Sequence, residues 1–283
     1  MARLILALTC VLSLAQEPIR VTTNLVQVPV GVRDKKGWSA EQLKAADFEL
    51  LDNGVRQTLV QCNLNTSPRE TVIVFDQSES MQPELPALYE AVREFVTASP
   101  GDKISVISVR SSANLDIAPT DDQDRLLRGL GAVVAGGRTA LFDGVHLALS
   151  RLRAERTPHS AVIVLSDGGD NSSRARPTDL ENLSAEAGAK IHTIATTVPF
   201  PRSNEAEGLA ALKGLAARTG GWYWEAKDHA DLTKLIRKLQ SDPQYVLGYS
   251  PSGVPLDGRA HHIQVKVKRR GLQLTWRKSY AAD

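Results

Sequence analysis

Asp76, Ser78 and Ser80 stand at alternate positions directly after the apolar run VIVF, and all three side chains end in oxygen. Thr139 follows the glycine-rich AGGR, and Asp167 follows AVIVLS within SDGGDNSS. Hard oxygens suit a hard divalent cation, and a site of roughly six ligands with few carboxylates favours Mg²⁺ or Mn²⁺ over Ca²⁺. Ser78, Ser80 and Thr139 are neutral, so the protein would leave much of the cation's charge for an oxygen from outside. The competing reading is a set of helix caps without a metal, since Ser, Thr and Asp are favoured N-caps and each of these loops enters a helix. Convergence of all five residues favours the cation. Asp143 and Asp170 lie near the same loops and are assigned to capping or support.

Convergence requires elements that deliver the loops to one place. From about 70 to 241 the pattern alternates: the continuous apolar runs VIVF, ISVISV, AVIVL and IHTIA are separated by amphipathic segments such as Leu85, Leu88, Val92, Phe95 and Val96. Runs without polar alternation are strands buried on both faces, which means a doubly wound, mostly parallel α/β sheet covered by helices. Ligands of such sheets sit beyond the carboxyl ends of the strands, where the strand order reverses. Residues 18–69 read differently: Val26, Val28, Val30 and Val32 alternate with polar or small residues, the period of a strand with one buried face. Pro29 points to an edge or a bulge, a short helix is expected after Ser39, and Asp52-Asn53-Gly54 is a hairpin turn signal. Residues 242–283 behave alike, with Ile263, Val265 and Val267 alternating before Arg269-Arg270-Gly271 turns the chain into Leu272, Leu274 and Trp276. Neither end has enough strands to bury a core alone. They are expected to pair into one discontinuous β-sandwich, with the α/β unit inserted between them.

Asp76-x-Ser78-x-Ser80, a threonine after a glycine-rich turn, and an aspartate followed by glycine resemble the metal-ion-dependent adhesion site of the von Willebrand factor A domain. The flanking VQVPVGVRD, ADFELLDNG and QYVLGYSPSG, with a basic hairpin after them, resemble a group of exported bacterial proteins built around that domain. The resemblance implies a Rossmann-like fold in which Ser78, Ser80 and, in a ligand-engaged state, Thr139 bind the metal directly, while Asp76 and Asp167 act mostly through water. It further implies an open coordination position for a carboxylate of a partner protein. Glu79 is a departure: facing the metal it would satisfy the cation itself, whereas strand-like alternation points it away from the serines, and the second is expected. A ligand drawing the metal toward Thr139 is expected to shift the last helix of this unit, around Asp228 to Gln240, against the sandwich.

The chain has 283 residues, 42% hydrophobic and 23% charged, with a formal net charge of +2. That is a soluble globular composition with no bulk attraction to nucleic acid or anionic membrane. Met1 to Ala15 carry one arginine and an apolar run from Leu4 to Leu14, the layout of a secretory signal peptide and too short a run for a membrane span. Lipidation at Cys10 is disfavoured by Thr9 before it. Export would leave Cys62 as the remaining cysteine, expected as a small buried apolar residue. GAVVAGGRT has one residue too many and Arg138 in place of lysine for a phosphate-binding loop, so no nucleotide is expected. Neither serine lies in a G-x-S-x-G elbow, and His261 and His262 are adjacent, so they point to opposite faces of a strand. Trp222-Tyr223-Trp224 reads as the last strand of the sheet. The expected function is an exported, metal-dependent protein-binding module and not an enzyme. A metal-assisted hydrolase and an assembly subunit working with an ATPase are the alternatives.

Overall fold

The computed structural model describes residues 25–281 apart from 41, 66, 131–134, 156–158, 197–202, 241–243 and 256–258, so the leader expected over 1–15, with Cys10, lies outside the described residues. The chain opens with β1 (Val26–Asp34), β2 (Phe48–Asp52), β3 (Val55–Gln57) and β4 (Leu59–Asn65). There follow β5 (Glu70–Asp76), α1 (Leu85–Thr97), β6 (Lys103–Val109), β7 (Ala113–Thr120), α2 (Gln123–Gly129), α3 (Leu141–Glu155) and β8 (Ser160–Ser166). Next come α4 (Pro177–Ala187), β9 (Lys190–Thr196), α5 (Ser203–Thr219), β10 (Tyr223–Ala226) and α6 (His229–Gln240). The last strands are β11 (Gln244–Tyr249), β12 (Ala260–Val267), β13 (Leu272–Trp276) and β14 (Ser279–Ala281).

The central sheet has the order β10-β9-β8-β5-β6-β7, parallel except for β7 at one edge. β5 and β8 are buried along their whole length. The continuous apolar runs are explained by helices on both faces: Ile73 and Phe75 pack with α1 and α6, Val72 and Val74 with α3, α4 and α5. From β5 the chain steps to β6 on one side and later to β8 on the other. Strand order therefore reverses between β5 and β8, and the crevice beyond their carboxyl ends is where such sheets take ligands.

Strands from both ends of the chain form two further sheets, β13-β1-β11-β4 and β14-β12-β2-β3, packed as the discontinuous sandwich that the alternation implied. β2 and β3 meet across a two-residue turn, Asp52 opposite Val55, with Asn53 at φ 46° and Gly54 at φ 82°, the left-handed pair that a type I′ hairpin needs. β12 alternates as read, with Ile263 and Val265 buried and His261 inward while His262 is exposed.

Four readings change in detail. β1 is an inner strand, not an edge, but Pro29 lies where only β11 flanks it, since β13 pairs from Val30 onward. β12 and β13 belong to different sheets, so Arg269-Arg270-Gly271 carries the chain across the sandwich instead of closing a hairpin. The short helix after Ser39 is a single 3₁₀ turn at Ala45–Asp47. Cys62 is half-buried in β4, at a sheet edge, where a side chain keeps part of its surface in solvent.

Arg33 departs further from the two-faced pattern. It sits on the non-sandwich face of β1 yet is fully buried, because that face packs against the α/β unit. Its guanidinium donates to the Lys238 carbonyl at the end of α6 at 2.8 Å and to the Gly37 carbonyl at 2.7 Å. It also lies 4.8 Å and 4.9 Å from the ring centroids of Trp222 and Trp224. Those rings stack on each other at the start of β10, the last strand to join the sheet.

Candidate metal centre

The sharp reversal after β5 is written into its first side chain. Asp76, fully buried, accepts the Ser78 N–H on Oδ1 at 2.9 Å, which folds the chain back at once into the 3₁₀ turn Glu79–Met81. Ser78 is buried, with its Oγ 3.2 Å from the Oγ of the half-buried Ser80, so two hydroxyls converge over the end of the strand. Glu79 is exposed between them.

Asp167 directly follows β8, beside β5, and is buried. Its Oδ1 accepts the Gly169 N–H at 2.9 Å, whereas its Oδ2 is buried with no hydrogen-bond partner among the described residues. Thr139, also buried, stands just before α3. Its N–H donates to Asn171 Oδ1 at 2.9 Å and its carbonyl accepts the Asn171 and Ser172 N–H groups at 3.0 Å, which ties the threonine loop to the Asp167 loop. The Gly136 N–H donates to the Gln77 carbonyl at 3.0 Å and ties it equally to the Asp76 loop. The glycine-rich turn thus turns that amide inward to protein, away from any phosphate.

Asp143 and Asp170 cap and support as expected. Asp170 Oδ2 accepts the Phe142 N–H at the start of α3, and Asp143 Oδ1 accepts the Arg174 and Ala175 N–H groups at 2.9 Å and 2.8 Å. Two contributors went unread. Ser166 donates its hydroxyl to Asp76 Oδ2 at 2.6 Å, and Asn171 holds Thr139. The register Phe75 opposite Leu165 sets Ser166 beside Asp76, and register is not visible in either segment alone.

Backbone geometry holds the Asp167 loop in place. Gly168 has φ 89°, and a Cβ on Gly208 of α5 would come 1.7 Å from the Gly168 carbonyl oxygen. α5 therefore lies against the loop backbone at a distance that only glycine permits.

Burial first, and the Asp167 carboxylate second, push Asp76 up to about 7. Two buried carboxyls close enough to repel, one with an oxygen that no donor satisfies, form a negative, underbonded site that a cation would complete. No three His, Cys, Asp or Glu side chains gather into a metal-sized group among the described residues. The donor set is two carboxylates with three hydroxyls, and it fits a hard divalent cation by its oxygens.

Comparison with known proteins agrees with this architecture. Residues 71–169 match the model of the von Willebrand factor type A domain. A protein of Borreliella burgdorferi is 27% identical over 135 residues, 44% of this chain and 40% of its own length. A UPF0353 protein of Mycobacterium avium is 22% identical over 206 residues, 62% of this chain and 60% of its own. The chain thus spans 40% and 60% of the lengths of these relatives. Among solved structures, a von Willebrand factor type A protein from Catenulispora acidiphila superposes with a TM-score of 0.53 at 15% identity, covering 90% of this chain and 73% of that one. Proximal thread matrix protein 1 of the mussel byssus, solved with zinc in its MIDAS motif, reaches 0.54 at 18% identity, covering 67% of this chain and 50% of that one. The matched stretch holds all five oxygen-bearing residues, with β8 and all but the first residue of β5, so this part of the chain is similar to the von Willebrand factor type A domain in sequence as well as in fold.

Proposed function

We propose that the chain is an exported, metal-dependent binding module and not an enzyme, and that Asp76, Ser78, Ser80, Thr139 and Asp167 hold a divalent cation, Mg²⁺ or Mn²⁺ in preference to Ca²⁺. The observation that carries this reading is the partnerless, buried Oδ2 of Asp167 beside the buried Asp76, in a cluster whose remaining oxygens are hydroxyls. When bound, the cation supplies Lewis acidity toward an anionic oxygen, and the matching partner is a protein that presents an Asp or Glu carboxylate. The chain's own residues do the rest. Asp76 is fixed by the Ser78 amide and the Ser166 hydroxyl, and Thr139 is fixed by Asn171. No histidine hydrogen-bonds any of the five among the described residues, and Glu79 is exposed, which favours binding over hydrolysis for want of a placed general base. Among the described residues no helix is long and apolar enough to cross a membrane. Export rests on the sequence of the first residues.

The test is thermal unfolding of the chain in EDTA and in Mg²⁺, Mn²⁺ or Ca²⁺, beside Asp76→Ala. A cation at about a hundred times its dissociation constant stabilises by roughly 2.7 kcal/mol. The midpoint is expected to rise with Mg²⁺ or Mn²⁺ in the wild type and to stay put in the variant; a metal-blind wild type would return the five oxygens to the role of loop caps. Gly208→Ala probes the support from α5. Displacing the Asp167 loop is expected to weaken Mg²⁺ binding by roughly 10- to 100-fold, the usual cost of losing the support of a ligand. Titration at constant ionic strength reads this, and an unchanged affinity would mean that the loop tolerates the shift.

A further inference from the structure

The metal centre lies at the carboxyl ends of the strands; at the opposite edge, where β9 begins, a cleft of about 230 Å³ opens between the α/β unit and the sandwich. One side comes from α4, the end of α5 and Lys190, the other from Pro29 of β1 and the link between β13 and β14. Its charge is one-sided. Lys190, Arg218, Arg277 and Lys278 line it, and Glu181 is the acid facing them. Glu181 is already engaged by Arg218 at 2.5 Å. Arg277 and Lys278 have no carboxylate partner among the described residues, and the Lys278 ammonium lies instead 3.0 Å from the Trp276 ring centroid. Arg277 also faces an adjoining cleft, where Arg153 is held by Glu186 at 2.7 Å.

Partly buried cations without a counter-charge are costly, and an anion from solution would relieve them. Burial alone lowers the Arg277 guanidinium from its usual value and takes Lys278 down to about 8, as expected where no acid offsets the desolvation. The cleft is smaller than the roughly 300–1,000 Å³ of drug-sized sites, so its occupant has few atoms. A guanidinium offers the forked donor pair that matches phosphate or carboxylate oxygens, and the neighbouring ammonium adds a second charge.

We propose that this cleft binds a small oxyanion, a phosphate or dicarboxylate, held by Arg277 and Lys278 between the sandwich and the α/β unit. The occupant would tie the two units together from the side opposite the metal centre. The experiment is calorimetric titration of the full chain, in EDTA so that the metal centre plays no part, with inorganic phosphate, succinate and chloride at matched ionic strength. Phosphate or succinate is expected to bind, whichever does so naming the class, and chloride is not. Arg277→Gln with Lys278→Gln is expected to weaken binding roughly tenfold or more, the usual worth of charge-assisted hydrogen bonds. Lys266→Gln with Arg270→Gln removes the same charge from exposed positions and is expected to leave binding intact. No binding of either oxyanion to the wild type, an equal response to chloride, or equal losses in both double variants overturns the proposal. The wild-type titration alone decides the first two, whether or not a variant folds.

Discussion

Asp52→Ala is expected to destabilise the protein by about 3–5 kcal/mol, since three buried polar groups lose their acceptor at a cost of roughly 1–3 kcal/mol each. Asp52 is fully buried at the end of β2. Its Oδ1 lies 2.8 Å from His261 Nδ1, and its Oδ2 accepts hydrogen bonds from the hydroxyls of Tyr249 at 2.8 Å and Tyr280 at 2.9 Å. Tyr249 belongs to one sheet of the sandwich, and Asp52, His261 and Tyr280 to the other, so the carboxylate bonds the two sheets through their common core. It also joins segments from both ends of the chain. Burial first, then hydrogen bonding and the Asp52 charge, raise Tyr249, and burial raises Tyr280, so both hydroxyls stay protonated and donate. Alanine would leave an imidazole and two hydroxyls buried with their acceptor gone. Asp52→Asn keeps the shape and one acceptor oxygen, and a smaller loss is expected. Urea unfolding with the slope compared between variants measures both; a loss below about 1 kcal/mol for alanine would mean that water replaces the carboxylate at little cost.

That network was not legible in the sequence, whereas the gathering of loops around Asp76 was, and the difference is physical. Continuous apolar runs such as VIVF and AVIVL can be read directly because a strand buried on both faces has no polar position to spare. The polar residues that end such runs then stand out as delivered to the sheet's edge, which made Asp76 and Asp167 visible. Asn53-Gly54 was visible because two successive left-handed residues have few other uses. Alternation, by contrast, reports which face a side chain takes and is silent about what covers that face. Arg33 lies among the residues that alternate with the valines, out of the sandwich, and nothing in that alternation shows that the α/β unit covers it. His261 was correctly placed on one face of β12, yet its partners, Asp52 and Tyr280, come from β2 and β14, brought there by pairing that no local pattern encodes. Ser166 and Asn171 were missed for the same reason. Each acts across a register or between loops, and one segment shows only half of such a pair.

Arg33→Ala is expected to cost about 5 kcal/mol, from two hydrogen bonds of a charged donor at roughly 1.5 kcal/mol or more each and a desolvated cation–π contact of about 2 kcal/mol. The larger consequence concerns α6. The carbonyls at its carboxyl end are held by two arginines from outside the helix: Arg33 of β1 takes Lys238, and Arg69, between β4 and β5, takes Leu239 at 3.1 Å while pairing with Asp102 at 3.0 Å. Gln240 adds a bond to the Glu94 carbonyl at 3.0 Å, fixing the same end to α1. Any travel of α6 along its axis has to break these bonds, so Arg33 sets the resistance between that helix and the sandwich. Arg33→Lys is expected to recover little, because an ammonium cannot fork to two carbonyls while stacking on the indoles of Trp222 and Trp224. Hydrogen exchange over residues 235–240 is the measurement that separates a local role from a coupling one. In the wild type, protection there is expected to respond to added Mg²⁺ together with a carboxylate ligand. In Arg33→Ala the same amides are expected to exchange faster from the start and to respond less, since a helix end already released has less left to lose. Identical protection in wild type and variant, with and without cation, would make the Arg33 clamp a matter of stability alone and leave α6 a fixed wall of the unit.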